Sequence, residues 1–205
     1  MKKLVTLKNL VLLLIMSMTM TSCMDEDTAG SMTLSGQWTG DFGMYYNYEY
    51  RGKIYTFNSY DTDIVFYPDY NYATHGYGYE IDYYYEGPYN EMSFKFFWEI
   101  NRGVIYLDYP GNSEYNTKIF DYSLSGYYFT GYFSNGSEPF RLKKLTDFYD
   151  WNYYSGYGDY YYFDDPYWNW GSYWSKSRGG GNEEMTDSAV TNSGKIVGRG
   201  NRFIK

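Results

Sequence analysis

The chain has 205 residues and a formal net charge of −8, with 31 Tyr, 13 Phe, 6 Trp and a single cysteine. The acidic balance argues against polyanionic partners such as nucleic acid, and one cysteine excludes intramolecular disulfides and zinc sites built from several thiolates. Helix formers are scarce after residue 22 while Tyr, Phe, Trp and Thr favour strands, so composition predicts an all-β protein.

Lys2, Lys3 and Lys8 precede an apolar run from Leu10 to Met16, and Met20-Thr21-Ser22-Cys23 follows it. A basic region, an apolar region and small residues at a cleavage point make a secretory signal. The run is shorter than the about 20 apolar residues of a membrane-spanning helix. The segment resembles a bacterial lipoprotein signal peptide with residues 20–23 as its lipobox, Met20 standing where Leu is commoner. The resemblance implies that residues 1–22 are removed and that Cys23 carries the lipid of an outer-membrane anchor. Loss of residues 1–22, with three lysines and no acid, leaves 183 residues and takes the net charge from −8 to −11. Acylation would also occupy the only thiol, leaving none for disulfide or thiolate chemistry.

Asp25, Glu26 and Asp27 follow at once. They read either as the solvated start of a linker or, by resemblance, as the acidic export signal that places some Gram-negative lipoproteins on the cell exterior. Residues 23–33 read as a lipidated acidic tether, its polar part spanning roughly 15–20 Å as a flexible coil.

From Leu34 to Leu145 the pattern turns strand-like. Strands are expected near Gly36–Met44, Thr62–Tyr67 and Gly76–Tyr84, with Tyr45–Tyr60 and Pro68–His75 ambiguous. In Phe94–Ile100, Phe94, Phe96, Trp98 and Ile100 share one face, and Lys95 and Glu99 the other. Asn101-Arg102-Gly103 reads as a three-residue hairpin loop returning through Val104–Tyr109. Further strands follow at Tyr115–Ser123, Tyr127–Phe133 and around Phe140 and Leu142, with an Asn135-Gly136 turn before the last. Eight short strands joined by tight turns predict an antiparallel up-and-down barrel, because closure removes both open edges. Outward Lys95, Glu99, Asp108 and Arg141 argue against a lipid-facing membrane barrel.

Leu34-Ser35-Gly36-Gln37-Trp38-Thr39-Gly40 is similar to the first strand of small bacterial lipocalin-like domains, with Gly36 and Trp38 as the Gly-x-Trp signature. The resemblance covers residues 34–145. It implies a Trp38 that closes the bottom of the barrel and an interior holding a small apolar or amphipathic ligand. Tyr at many core positions departs from the family and favours a filled barrel instead.

Residues 146–174 form a Tyr/Trp-rich low-complexity extension; between Asp147 and Trp174, 15 of 28 residues are aromatic and none is Ile, Leu, Val or Met. Three readings stay open: a disordered segment, a sticky platform presenting Trp151, Trp168, Trp170 and Trp174 to sugars or a partner, or a self-associating tract. Residues 175–205 are polar with a local charge of +3, and disorder is expected there, with a short strand at Gly194–Phe203 as the alternative.

No catalytic motif is present. His75 is the sole histidine and has no triad or metal partners in sequence. Asp61 and Asp63 would share a face of an extended segment, and Asp164-Asp165 lies in the extension; such pairs in an acidic chain are usually solvated. Asp69-Tyr70-Asn71 begins like a calcium loop but fails at Ala73 and His75. The expectation is a non-catalytic, cofactor-free and metal-free envelope lipoprotein that binds a small apolar ligand. The alternative is a glycan- or partner-binding surface protein built on a filled barrel.

Overall fold

The computed structural model describes residues 24–110, 113–134, 136, 138–147, 160–164 and 194–204. The first element is a helix, α1 (Glu26–Leu34), where a flexible tether was expected. Asp25 caps it, its carboxylate accepting from the Asp27 N–H at 3.1 Å and the Thr28 hydroxyl at 2.7 Å. Two acids in the first turn complement the positive end of the helix dipole. At the other end the Thr33 carbonyl accepts from Lys144 Nζ and the Leu34 carbonyl from the Trp38 indole. A nine-residue helix is too short to persist alone in water, so these tertiary bonds hold it.

The strands in chain order are β1 (Gly36–Gly40), β2 (Met44–Tyr50), β3 (Lys53–Pro68), β4 (His75–Tyr84), β5 (Tyr89–Asn101) and β6 (Val104–Asp108). They continue as β7 (Thr117–Leu124), β8 (Tyr128–Phe133), β9 (Phe140–Thr146), β10 (Tyr160–Asp164) and β11 (Lys195–Asn201). Eight of them close an antiparallel barrel: β1 pairs with β9 on one side and β3 on the other, and β3 through β9 follow in sequence order.

Strand β3 is long because it serves two sheets. Residues 53–58 pair with β2 across the Arg51-Gly52 turn, and β2 in turn carries β11. From Thr62 onward β3 belongs to the barrel wall, pairing with β1 and β4. The switch coincides with a bulge: Ser59 faces Tyr84 and Asp61 faces Tyr83, leaving Tyr60 as the extra residue. The ambiguous stretch Tyr45–Tyr60 is therefore a hairpin leaning across one end of the barrel. Likewise the expected loop at 101–103 is a two-residue turn, Arg102 and Gly103 both having positive φ between the paired Asn101 and Val104.

Aromatic rings fill the interior. Trp38, Phe42, Phe66, Phe96, Trp98, Phe129 and Phe140 are all buried, in edge-to-face contacts with centroids about 5–6 Å apart, such as Trp38–Phe129 at 5.7 Å and Phe66–Phe96 at 5.4 Å. Space for this comes from glycine: a Cβ on Gly78 would lie 2.3 Å from the Phe96 ring. Gly36 has φ +116° and a Cβ there would meet the Thr146 carbonyl at 2.5 Å, so the first residue of the Gly-x-Trp pair is fixed by both conformation and space.

The two ends are closed differently. Helix α1 covers the end where β5 turns into β6: the Asp27 carboxylate accepts from the Arg102 and Gly103 N–H groups at 2.7 and 2.8 Å, and the Ser31 hydroxyl donates to the Ala73 carbonyl. The opposite end is crossed by β2 and β11. There the Asn201 side-chain amide donates to the Phe42 carbonyl, and the Arg202 N–H to the Gly43 carbonyl. The helix thus forms part of the folded domain. Asp27→Ala removes two bonds to the β5–β6 turn and is expected to lower unfolding stability by about 1–2 kcal/mol in urea titration, with the barrel otherwise intact.

Candidate functional site

Strand β4 alternates Gly76, Gly78, Glu80, Asp82 and Tyr84 on one face with Tyr77, Tyr79, Ile81 and Tyr83 on the other. The structure turns the carboxylate face inward. Glu80 and Asp82 are fully buried at the end of the barrel crossed by β11. Burying two carboxylates two residues apart is untenable without a counter-charge, and β11 supplies it. The Arg199 side chain, 1% exposed, places Nη2 against Glu80 Oε1 and 2.8 Å from Asp82 Oδ2. The Thr62 hydroxyl donates to the other Asp82 oxygen at 2.8 Å, and the Tyr109 hydroxyl donates to Glu80 Oε2.

The guanidinium lies in an aromatic cage, its Cζ 3.8 Å from the Phe94 ring centroid, 5.3 Å from Tyr115 and 5.4 Å from Tyr109. Its Nε and Nη1 have no hydrogen-bond partner among the described residues, so the ring faces are what they meet. Burial opposes the charge on Arg199, yet Glu80 and Asp82 outweigh it and push its pKa well above the ordinary value. Burial likewise pushes Glu80 up to about 8, with Arg199 acting against the rise and Asp82 adding to it. Both oxygens of each carboxylate accept from a donor, Glu80 from Arg199 and Tyr109 and Asp82 from Arg199 and Thr62.

Beside this cluster is a cleft of about 70 Å³ whose lining includes Phe42, Met44, Tyr115, Phe133, Arg199 and Asn201. It has room for a few waters or a very small molecule, well below the about 300 Å³ at which ligand pockets begin.

The residues singled out in the sequence occupy other places. Trp38 is buried where α1 meets the barrel, its ring 5.0 Å from Lys144 Nζ. Asp25 and Asp27 have the structural roles described above; the Thr28 hydroxyl and then the Asp27 N–H lower the pKa of Asp25 against a smaller opposing effect of burial. Glu26 is exposed in the first helical turn. His75 is exposed, 3.5 Å from Asp69 and edge-on to Tyr70. Asp61 and Asp63 share the outer face of β3 as expected: Asp61 accepts from the Thr62 N–H at 3.0 Å, and Asp63 from the Tyr83 hydroxyl at 3.1 Å. Burial raises the Asp63 pKa. Cys23, Trp151, Trp168, Trp170 and Trp174 lie outside the described residues. Among the described residues no group of His, Cys, Asp and Glu could hold a metal ion, and no helix is long and apolar enough to cross a membrane.

Arg199, Glu80, Asp82 and Tyr109 were not legible as a site. The only sequence signal is the pair of acids at i and i+2 in an otherwise aromatic strand. Arg199 falls in the polar tail for which disorder was expected; instead residues 195–201 form β11. Compared with protein-family models, curated proteins and solved structures, the chain matches none.

The raised pKa of Glu80 ties stability to pH. Its folded value of about 8 exceeds the unfolded value of 4.5, so the folded state binds the proton more tightly. The resulting stabilisation is complete below pH 4.5 and is lost as the pH rises through 8. Thermal melts of the wild type should thus show a lower Tm at pH 8.5 than at pH 5.5, and Glu80→Gln should flatten that difference.

Proposed function

We infer that this chain is a lipid-anchored protein of the bacterial cell envelope and that its lipocalin-like barrel is a filled scaffold for binding on the exterior, without catalysis. The observation that carries this reading is the interior: the large rings meet across the barrel axis, and the cleft at its mouth measures about 70 Å³. Ligands of lipocalin type need several times that volume. The buried carboxylates, which could otherwise suggest acid–base chemistry, are engaged by Arg199, Thr62 and Tyr109.

The anchor rests on the sequence of residues 1–23 and gains support from the placement of α1. Only Met24 separates Cys23 from the Asp25 cap, at most about 7 Å of extended backbone. A lipid on Cys23 would therefore hold the helix-covered end of the barrel against the membrane, and the end crossed by β11 would point away. Exposed Glu99, Asp108, Lys118 and Arg141 on the outer wall suit a barrel bathed in water. An outward orientation follows from reading Asp25, Glu26 and Asp27 as an export signal in addition to their role in α1.

The reading with a small apolar or amphipathic ligand keeps one supporting feature, the apolar side of the mouth formed by Phe42, Met44 and Phe133. Two measurements separate the readings. Mass spectrometry of protein purified from membranes should find Cys23 acylated at the new N-terminus, and protease added to intact cells should degrade the protein. An unmodified Cys23, or full protection from protease, contradicts the anchor or its orientation respectively. Titration with a fluorescent fatty acid should give no saturable one-to-one binding; stoichiometric binding would favour the carrier.

A further inference from the structure

The bulge in β3 sets Tyr60 apart from the alternation of its strand and lays it on the outer surface. Its ring stacks on Tyr85, the residue just after β4, with centroids 3.7 Å apart and planes 11° from parallel. Tyr83 adds a third ring at 6.3 Å, tilted by 40°. Tyr85 is 78% exposed and Tyr60 43%, so one broad face of the stack is open to solvent. The ring pairs of the described core lie 4.8 Å or more apart and mostly edge-on; these two are held flat and close where they contribute little to burial.

Burial raises the Tyr60 pKa most, and Tyr85, Asp61, Glu91 and Asp63 act on its hydroxyl in the same direction. Glu91 is registered opposite Tyr83, and its buried Oε1 accepts no hydrogen bond among the described residues. Asp61 and Asp63 point the same way from β3, with Thr39 and the Tyr83 hydroxyl beside them. The chemistry offered is a flat, exposed aromatic face on the outer wall, with the carboxylates of Asp61, Asp63 and Glu91 on the same stretch of the sheet.

We propose that Tyr60 and Tyr85, with Asp61, Asp63 and Glu91, form a binding site for neutral polysaccharide. A pyranose presents a face of C–H groups to an aromatic ring while its equatorial hydroxyls donate sideways, and carboxylates accept such hydroxyls well. The same carboxylates repel sulfated and uronic-acid polymers. The site lies at the end of the barrel opposite α1, because residues 59–61 and 82–85 meet where β2 crosses. On an anchored molecule that end points away from the membrane, as capture of an extended polymer requires. This placement rests on the envelope reading above; the ring stack and its acceptors do not.

The test uses the full mature chain on an array of neutral and acidic glycans, followed by calorimetry with the neutral oligosaccharide retained best. Binding to a neutral glycan is expected, with affinity falling about tenfold in Tyr85→Ala, a factor in keeping with the loss of one aromatic contact. Tyr85→Phe, which keeps the ring, should retain affinity, and equal Tm values for both variants would exclude unfolding as the cause. No retention on any neutral glycan overturns the proposal, as does preferential binding of acidic glycans or of a lysine-rich peptide. Neutral-glycan binding that survives Tyr60→Ala/Tyr85→Ala overturns this site while leaving an exterior binding module in place. An unacylated Cys23 would overturn the envelope reading without touching the array result.

Discussion

One arginine from the C-terminal strand makes the barrel's buried charge tolerable. Glu80 and Asp82 project into an interior packed mainly with aromatic and aliphatic side chains, and an unpaired carboxylate in such a place costs several kcal/mol. Arg199 reaches both through Nη2 while its planar face lies on Phe94. The pairing joins β4 to β11, strands more than a hundred residues apart, and fixes how β11 lies on β2 across the barrel end. Replacing such a cluster with hydrophobic residues is often neutral for stability. Its use here is therefore positional: it specifies one register for a short, glycine-containing edge strand whose own pairing with β2 is interrupted by a bulge.

The two ends of the barrel divide the work. At one end α1 docks through Asp27, Ser31 and the carbonyls of Thr33 and Leu34, and packs over Trp38. This is the end nearest Cys23 in the chain. At the other end β2, β11 and the Arg199 cluster close the mouth down to a small cleft. The same hairpin arrangement that closes the mouth requires the bulge in β3, and the bulge puts Tyr60 against Tyr85 on the outer wall. Closing the interior and exposing the ring stack are thus consequences of one strand serving two sheets.

The barrel itself was readable because its signals are local. Alternation in Phe94–Ile100, the Gly-x-Trp at residues 36–38 and the turns at Arg102-Gly103 each act over a few residues, and all eight barrel strands were anticipated in position. What escaped was non-local. The inward placement of Glu80 and Asp82 depends on Gly78 making room for Phe96 and on Arg199 arriving from far along the chain. Helix α1 was missed because Gly30 and a run of small polar residues have low helix propensity; its Asp25 cap and its docking on the barrel override that. The β2–β3 hairpin was hidden by Tyr and Asn at positions that serve strand and loop equally.

The central claim is that Arg199 is bound into the fold as the counter-charge to Glu80 and Asp82. Urea unfolding of Arg199→Met beside the triple variant Arg199→Met/Glu80→Gln/Asp82→Asn at pH 8.5 tests it most directly. The account predicts a loss of about 3–5 kcal/mol for the single change and recovery of most of it in the triple variant, since the carboxylates no longer need a partner. A single variant as stable as the wild type, or a triple variant no more stable than the single one, would contradict it.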